Sequence, residues 1–170
     1  MRRGLVVGGA FALIVAAGLA AVWPFWTARQ IESAATANDG DRLEPYLDQA
    51  AIATDMKHRV NAELLADEDM SALAIALTDR AVEAAASPYG MARLIANGLY
   101  QVDAAAFDVT AQRFTYRAGY VSPNRFRIRT FDPKAKADGP SFLLGRQNLV
   151  QWKIIKVEPA GRTPVAGNGQ

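Results

Sequence analysis

The stretch FTYRAGYVSPNRFRIRT, residues 114–130, decides the fold class because it predicts two β-strands joined by a tight turn. From Phe114 to Tyr120 every second residue is aromatic or alanine, which is the period of a strand with one buried face. The turn falls at residues 122–124, where a proline stands at the second position. Apolar residues and arginines then alternate in residues 125–130, so we expect a β-hairpin.

The remaining chain divides at residue 98, where helical spacing gives way to the two-residue period of strands. Apolar residues recur every three to four positions up to that point, and residues 142–144 and 150–157 predict further strands. This order predicts an α+β domain whose helices pack on one face of an antiparallel β-meander. The predicted boundaries are a separate segment at 1–26, a single domain at 27–158 with helices at 27–98 and strands at 100–158, and a disordered tail at 159–170.

The N-terminal segment predicts where the protein works. Residues 4–26 contain no charged side chain, follow Arg2 and Arg3, and close with the aromatic residues Trp23 to Trp26. A helix of that length spans about 35 Å, which is enough to cross the hydrocarbon core of a bilayer. The arginines favour a cytoplasmic N-terminus, and the aromatic residues favour the far interface. We therefore expect an N-terminal transmembrane helix in the inner membrane, with the C-terminal domain in the periplasm.

A cleaved signal peptide is the alternative interpretation of this segment. Leu5 to Ala17 would be its apolar region, and Gly18 and Ala20 are small residues placed as a cleavage site requires. The apolar region of such a peptide usually has about 7–15 residues, whereas this run continues to Trp26. The uncleaved anchor is therefore the preferred prediction, and a secreted or periplasmic protein is the alternative.

Composition excludes several functional classes. The chain has no cysteine, which excludes disulfides, thiol catalysis and thiolate metal sites. His58 is the one histidine, which rules out the usual multi-histidine metal sites, and its place between Lys57 and Arg59 predicts an exposed position. A formal net charge of +2 is too small to predict a nucleic-acid partner. Without phosphate-binding loops or a serine elbow, we predict no cofactor, no metal and no catalytic residues, and we lean against an enzyme.

Several motifs are spread over most of the chain after the apolar segment. They are IESAA at 31–35, YLD at 46–48, SPYGMARL at 87–94 and LVQWKIIKV at 149–157. Together they resemble a bacterial family catalogued as domain-of-unknown-function family 2939. The match departs from the family after Asp48, where an aromatic residue and a nearby basic residue are usual. The resemblance implies a membrane-anchored envelope protein and no known activity.

The order of the predicted elements carries a second, fold-level similarity. A helical leader followed by a sheet that ends in a tryptophan-bearing strand is similar to the cone-shaped α+β folds of the nuclear-transport-factor-2 class. A shared fold does not imply a shared function. This similarity therefore implies only that the sheet is curved and has a concave side.

Three arginines on one predicted strand form a candidate binding site. Arg125, Arg127 and Arg129 share one face, and a hairpin partner would bring Arg113 or Arg117 near them. Guanidinium groups bind phosphate and carboxylate groups bidentately, so a lipid phosphate or an acidic envelope polymer is a suitable ligand. The alternative is a solvated strand face on which charge prevents pairing with another sheet.

Aromatic residues in the predicted strands form a second candidate site. Tyr116 and Trp152, with Phe126 and Phe142, are spaced to line a pocket for an apolar ligand. Core packing is the alternative explanation for the same aromatic residues.

These features predict a membrane-anchored bacterial envelope protein whose non-enzymatic domain binds a partner protein or an anionic ligand outside the cytoplasm. One alternative is a hydrolase or isomerase that uses Asp103 or Asp108 in a cone-shaped pocket, which requires a carboxylate pointing inward. Another is a structural module of an envelope complex, which requires an exposed apolar patch.

Overall fold

The computed structural model describes residues 2–64, 72–103, 108–112, 115–134 and 136–159. Within these ranges, the side chains are described except at residues 2–14, 16–17, 63–64, 72–76, 98–103 and 108–112. The predicted tail therefore lies outside the described residues, apart from Pro159.

The chain folds as helices followed by antiparallel strands, which confirms the predicted α+β class. The helices are α1 Arg2–Thr36, α2 Gly40–Leu43 continued by a 3-10 turn at Glu44–Tyr46, α3 Gln49–Leu64, α4 Ala72–Ala86 and α5 Pro88–Leu99. The strands are β1 Tyr100–Asp103, β2 Asp108–Gln112, β3 Thr115–Ser122, β4 Arg125–Asp132, β5 Ala137–Arg146 and β6 Trp152–Glu158. β1 and β2 form a two-stranded sheet, and the other strands form a four-stranded sheet in the order β3-β4-β5-β6.

Local capping interactions stabilise the ends of several helices. α1 ends before Asn38, which adopts a left-handed conformation with φ of 51°, a common way to terminate a helix. The carboxylate of Asp48 accepts a hydrogen bond from the Ala51 backbone N–H at 3.1 Å and so caps α3. The Ser87 hydroxyl accepts one from the Gly90 N–H at 3.1 Å at the start of α5.

The core lies between the helices and one face of the four-stranded sheet, here called the inner face. On β4, Phe126, Ile128 and Thr130 are buried on that face, and the residues between them are on the opposite, outer face. α1 contributes buried alanines and Ile31, and α5 contributes Met91 and Ile95 among others. Alternation along β4 therefore separates a packed face from a solvent-facing one.

α1 crosses the inner face along β3. Its Phe25 ring lies 4.8 Å from the Phe126 ring, the Tyr120 hydroxyl donates to the Ala21 carbonyl at 3.0 Å, and the Tyr116 hydroxyl lies 3.1 Å from Glu32 Oε2. From Glu32 back to Ala21, the helix thus runs from the start of β3 towards its end. The helix is continuous through residues 26 and 27.

The transmembrane part of the fold prediction lacks support from the structure. Among the residues that the structure describes, no helix combines the length and the apolar character needed to cross a membrane. The predicted anchor ends at residue 26, but α1 continues past that position to Thr36. Thr27, the first residue after the predicted anchor, is buried.

Replacing Gly90 with alanine should destabilise the joint between α4 and α5. A Cβ at Gly90 would overlap the carbonyl oxygen of Ala84, which belongs to the backbone and cannot move away cheaply. We expect Gly90→Ala to lower the free energy of unfolding by about 1–3 kcal/mol, as overpacked sites do, in denaturant titrations. Gly119→Ala is the control, since no heavy atom lies within 4 Å of its added Cβ. Equal losses in the two variants would contradict the close approach at Gly90.

Candidate anion-binding face

The outer face of the sheet gathers the arginines that the sequence predicts as a site. Arg125 and Arg129 are exposed and Arg127 is half-buried, and all three alternate with the buried residues of β4. The strand register also places Arg117 of β3 directly opposite Arg129. Arg113, the other predicted neighbour, lies outside the described residues.

The strand register also aligns Arg127 of β4 with a lysine of β6. Leu143 of β5 lies opposite Arg127 on one side and opposite Lys156 of β6 on the other. A β-bulge between Leu143 and Leu144 sets this pairing, because two residues of β6 there face a single step of β5. Arg127, Leu143 and Lys156 thus form a row across three strands, with the apolar side chain of Leu143 between the two cations.

Glu158 is the carboxylate that balances part of this charge. Its Oε1 lies 3.6 Å from Arg127 Nη2 and 3.9 Å from Lys156 Nζ, while the Ser141 hydroxyl donates to Oε2 at 2.8 Å. Lys156 also lies 3.5 Å from Asp55 Oδ1 of α3. Lys156 is thus already engaged with two carboxylates.

Arg127 retains an unused donor. Its Nε is buried and has no hydrogen-bond partner within the described part of the chain. A buried N–H without an acceptor costs about 1–3 kcal/mol, so a ligand oxygen placed there would recover that free energy. The guanidinium keeps its charge at all physiological pH values, which favours an anionic ligand.

Arg117 and Arg129 are both exposed on this face. Like charges directly opposite each other on neighbouring strands are destabilising, and in the part of the chain that the structure describes neither residue forms an ion pair. They line a surface pocket of about 340 Å³ that also includes Thr115, Phe131 and Asp138. An anion in this pocket would relieve the repulsion between the two guanidinium groups.

Tyr116 and Trp152 lie on the inner face, so the structure separates them from the three arginines. Trp152 is only 1% exposed and its ring packs 6.3 Å from that of Phe126. Phe126 and Phe142 are buried in the same core cluster. Core packing therefore accounts for Trp152, whereas Tyr116 is half-buried at the edge of the cluster.

Tyr116 forms a polar contact that the sequence did not predict. Its hydroxyl donates to Glu32 Oε2 at 3.1 Å, and Arg29 Nη1 lies 3.4 Å from the same oxygen. The Arg29 guanidinium also lies 5.8 Å from the centre of the Tyr116 ring. In the sequence, Arg29 and Glu32 resemble an ordinary exposed pair one helical turn apart, because only the packing of α1 on β3 reveals their partner.

This group borders a small apolar cavity under the sheet. The cavity has a volume of about 20 Å³ and is lined by Tyr116, Glu32 and apolar residues of α1, α5 and the sheet. That space suits about one water molecule, whereas small-molecule sites usually need about 300–1,000 Å³. The cavity is therefore too small for a substrate.

The remaining candidate groups have structural roles or lie outside the described side chains. His58 is exposed, as predicted. Lys57 bridges α3 to α4 through Asp79 at 3.6 Å and Glu83 at 3.0 Å. No cluster suited to a metal ion occurs among the described residues. The side chains of Asp103 and Asp108, the predicted catalytic carboxylates, are not among those described.

The fold and the site define a class: a small α+β domain whose antiparallel sheet is packed by helices on one face and carries arginines on the other. Residues 13–94 match the family described as "Protein of unknown function (DUF2939)". This match confirms the resemblance found in the sequence. No curated protein and no solved structure matches the chain, and the similarity to the nuclear-transport-factor-2 class stays a prediction.

Changes to Arg127 and Glu158 should shift anion affinity in opposite directions. With pyrophosphate as the probe, we expect Arg127→Gln to weaken binding about ten- to a hundredfold, because a charge-assisted hydrogen bond is worth about 1.5–3 kcal/mol. Glu158→Gln should strengthen it several-fold, because it removes the competing carboxylate and keeps an acceptor for Ser141. Isothermal titration measures both, and Arg80→Gln on the exposed surface of α4 is the control. Unchanged affinity in both variants would rule out an anion site at Arg127.

The Tyr116 phenol should titrate at unusually high pH. Burial, followed by the negative charge of Glu32 and its hydrogen bond, raises the pKa of Tyr116 above the ordinary value of 10.0. The folded chain then holds the proton longer than the unfolded chain, so stability falls as the pH rises through this interval. We expect Glu32→Gln to move the Tyr116 pKa back down in a spectroscopic titration of the tyrosines. A pKa that is unaffected by this substitution would contradict the contact.

Proposed function

We propose that this protein is a single-pass inner-membrane protein of the bacterial envelope, with its N-terminus in the cytoplasm. Its α+β domain lies in the periplasm and binds an anionic ligand on the outer face of the sheet without catalysing a reaction. Similarity to a family of unknown function leaves the activity open.

The proposed membrane anchor, residues 4–26, is here called the tether, and its sequence supports it. The run has no charged side chain, follows Arg2 and Arg3, and lies in the N-terminal part of α1. In α1, the side chains at Val15, Leu19 and Val22 are 44%, 61% and 63% exposed. Apolar side chains at this density on one helix favour a lipid environment.

The contacts of α1 favour an uncleaved segment over a signal peptide. The Tyr120 hydroxyl lies 3.0 Å from the Ala21 carbonyl oxygen and 3.5 Å from that of Ala20. Cleavage after Ala20 would cut α1 at this contact, shortly before the buried Pro24. An intact helix instead connects the apolar run rigidly to the core of the domain.

The single observation that carries the binding function is the arrangement of arginines on the outer face. Arg117 and Arg129 face each other without an ion pair in the described part of the chain, and Arg127 has a buried Nε with no acceptor. Unsatisfied donors and unrelieved repulsion on one face favour an anion.

Membrane fractionation of the tagged full-length protein tests the tether. We expect intact protein that resists carbonate extraction and whose mass includes the N-terminal segment. Val15→Asp combined with Leu19→Asp should release it, because each charge at the bilayer centre costs about 2.5–3.5 kcal/mol. Both positions are exposed on α1, so the domain core should be unaffected.

Leu77→Asp is the matched control for this experiment. Leu77 is 60% exposed on α4, so the same kind of substitution is made away from the apolar run. This variant should stay in the membrane fraction. Soluble mature protein beginning near Ala21 would overturn the tether and leave a freely diffusing periplasmic binding domain as the better function.

A further inference from the structure

One end of the four-stranded sheet brings three segments together. The Arg146 backbone N–H donates to the Asn124 carbonyl at 3.1 Å, which places the β3–β4 turn beside the β5–β6 loop. The Tyr120 contact with Ala21 places α1 at the same end. We name residues 120–125 and 146–151, with α1 residues 22–26, the loop end of the domain.

The loop end exposes apolar side chains on each of its segments. Leu149 is 74% exposed and Val150 is 47% exposed in the β5–β6 loop, and Val121 is 55% exposed at the β3–β4 turn. On α1, Trp23 and Trp26 are 37% and 51% exposed. Large apolar residues clustered at loop tips, with tryptophan beside them, are typical of surfaces that enter the interface of a bilayer.

The charges of the loop end have one sign. Arg125 and Arg146 lie there, and the three segments contain no aspartate or glutamate. The sheet's acidic residues lie at its opposite end, where Asp132 ends β4, Asp138 is near the start of β5 and Glu158 ends β6. This separation along the strands gives the loop end a positive potential that complements anionic headgroups.

A groove at the loop end has the chemistry of a phosphate site. It has a volume of about 350 Å³ and is lined by Arg125, Arg146, Asn124, Gln147 and the backbone of Gly145, beside Ala51 and Ile155. The Arg146 guanidinium lies 4.9 Å over the Trp152 ring, which fixes its position. Its Nε is buried and has no partner in the part of the chain that the structure describes, so it can donate to a ligand.

We infer that the loop end docks on the surface of an anionic bilayer, with Leu149, Val150 and Val121 in the interface and Arg125 and Arg146 on lipid phosphates. The inference rests on the proposed function, because residues 4–26 bring the domain to the membrane. α1 leaves the sheet at the loop end, so the tether presents this end, and not the acidic one, to the bilayer. In this orientation the outer face, with Arg127 and Arg129, lies roughly perpendicular to the bilayer surface and stays accessible to a soluble anion.

Depth-sensitive fluorescence on the full chain tests this orientation. The chain has no cysteine, so a single environment-sensitive dye can be attached at Leu149→Cys and, in a second protein, at Ala137→Cys. Ala137 is exposed at the acidic end of β5 and is the matched control. The proteins are reconstituted into vesicles of phosphatidylglycerol and phosphatidylcholine in equal parts, and into vesicles of phosphatidylcholine alone. We expect a blue shift and quenching by brominated lipid at position 149 only, more strongly with phosphatidylglycerol.

Charge reversal separates the arginine contribution from the tether. In the Leu149→Cys background, Arg125→Glu should weaken docking about tenfold, read as loss of the blue shift, and added salt should act in the same direction. Arg129→Glu is the control, because it makes the same change on the same strand face about 13 Å further along β4. It should leave the label at position 149 in the bilayer.

The outcomes distinguish this inference from the proposed function. Vesicles that float the protein while both labels remain in water overturn the docking of the loop end and leave the tether intact. Quenching at both positions, or equal effects of Arg125→Glu and Arg129→Glu, also overturns it. A protein that does not float with the vesicles overturns the tether itself.

Discussion

The packing of α1 across β3 is the constraint on which the rest of the structure depends. The Phe25 ring meets the Phe126 ring at 4.8 Å, and the hydroxyls of Tyr116 and Tyr120 bind α1 at Glu32 and Ala21. These contacts fix the helix at both ends of the strand, so it cannot slide or rotate on the sheet. The direction in which the apolar run leaves the domain is therefore set by the core and not by a flexible linker.

The two faces of β4 then follow from its alternating sequence. Once Phe126 and Ile128 are buried against the helices, Arg125, Arg127 and Arg129 must point to the other side, because successive side chains of a strand face opposite ways. A binding face on a sheet is rigid, so the spacing of its charges is fixed before a ligand arrives. The register also holds the backbone positions of Arg117 and Arg129 opposite each other, so a counter-ion between their guanidinium groups would relieve the repulsion.

Local patterns explain which part of this was predictable. The period change near residue 98 predicts the α+β class, and the turn at 122–124 predicts that Arg113 or Arg117 lies near the arginines of β4. Contacts distant in sequence were not predictable. Tyr116 and Glu32 are 84 positions apart, and neither carries a pattern that points to the other. The predicted aromatic pocket was likewise not found, since Trp152 is buried and Tyr116 lies at the edge of the core. Periodicity predicts which face of the sheet a residue is on, but not how deeply it is buried.

The arrangement of charge along the strands links the two proposed sites. Screening at physiological salt extends over about 8 Å, so Arg125 at the loop end and Arg129 about 13 Å away act on separate ligands. The acidic groups at the far end can attract Arg129 and Arg127 locally, as Glu158 does, without cancelling the potential at the loop end. A bilayer on one end of the sheet and a soluble anion on its face would therefore bind without competing. Residues 4–26 would raise the local concentration of lipid at the first site alone, which makes weak docking there sufficient.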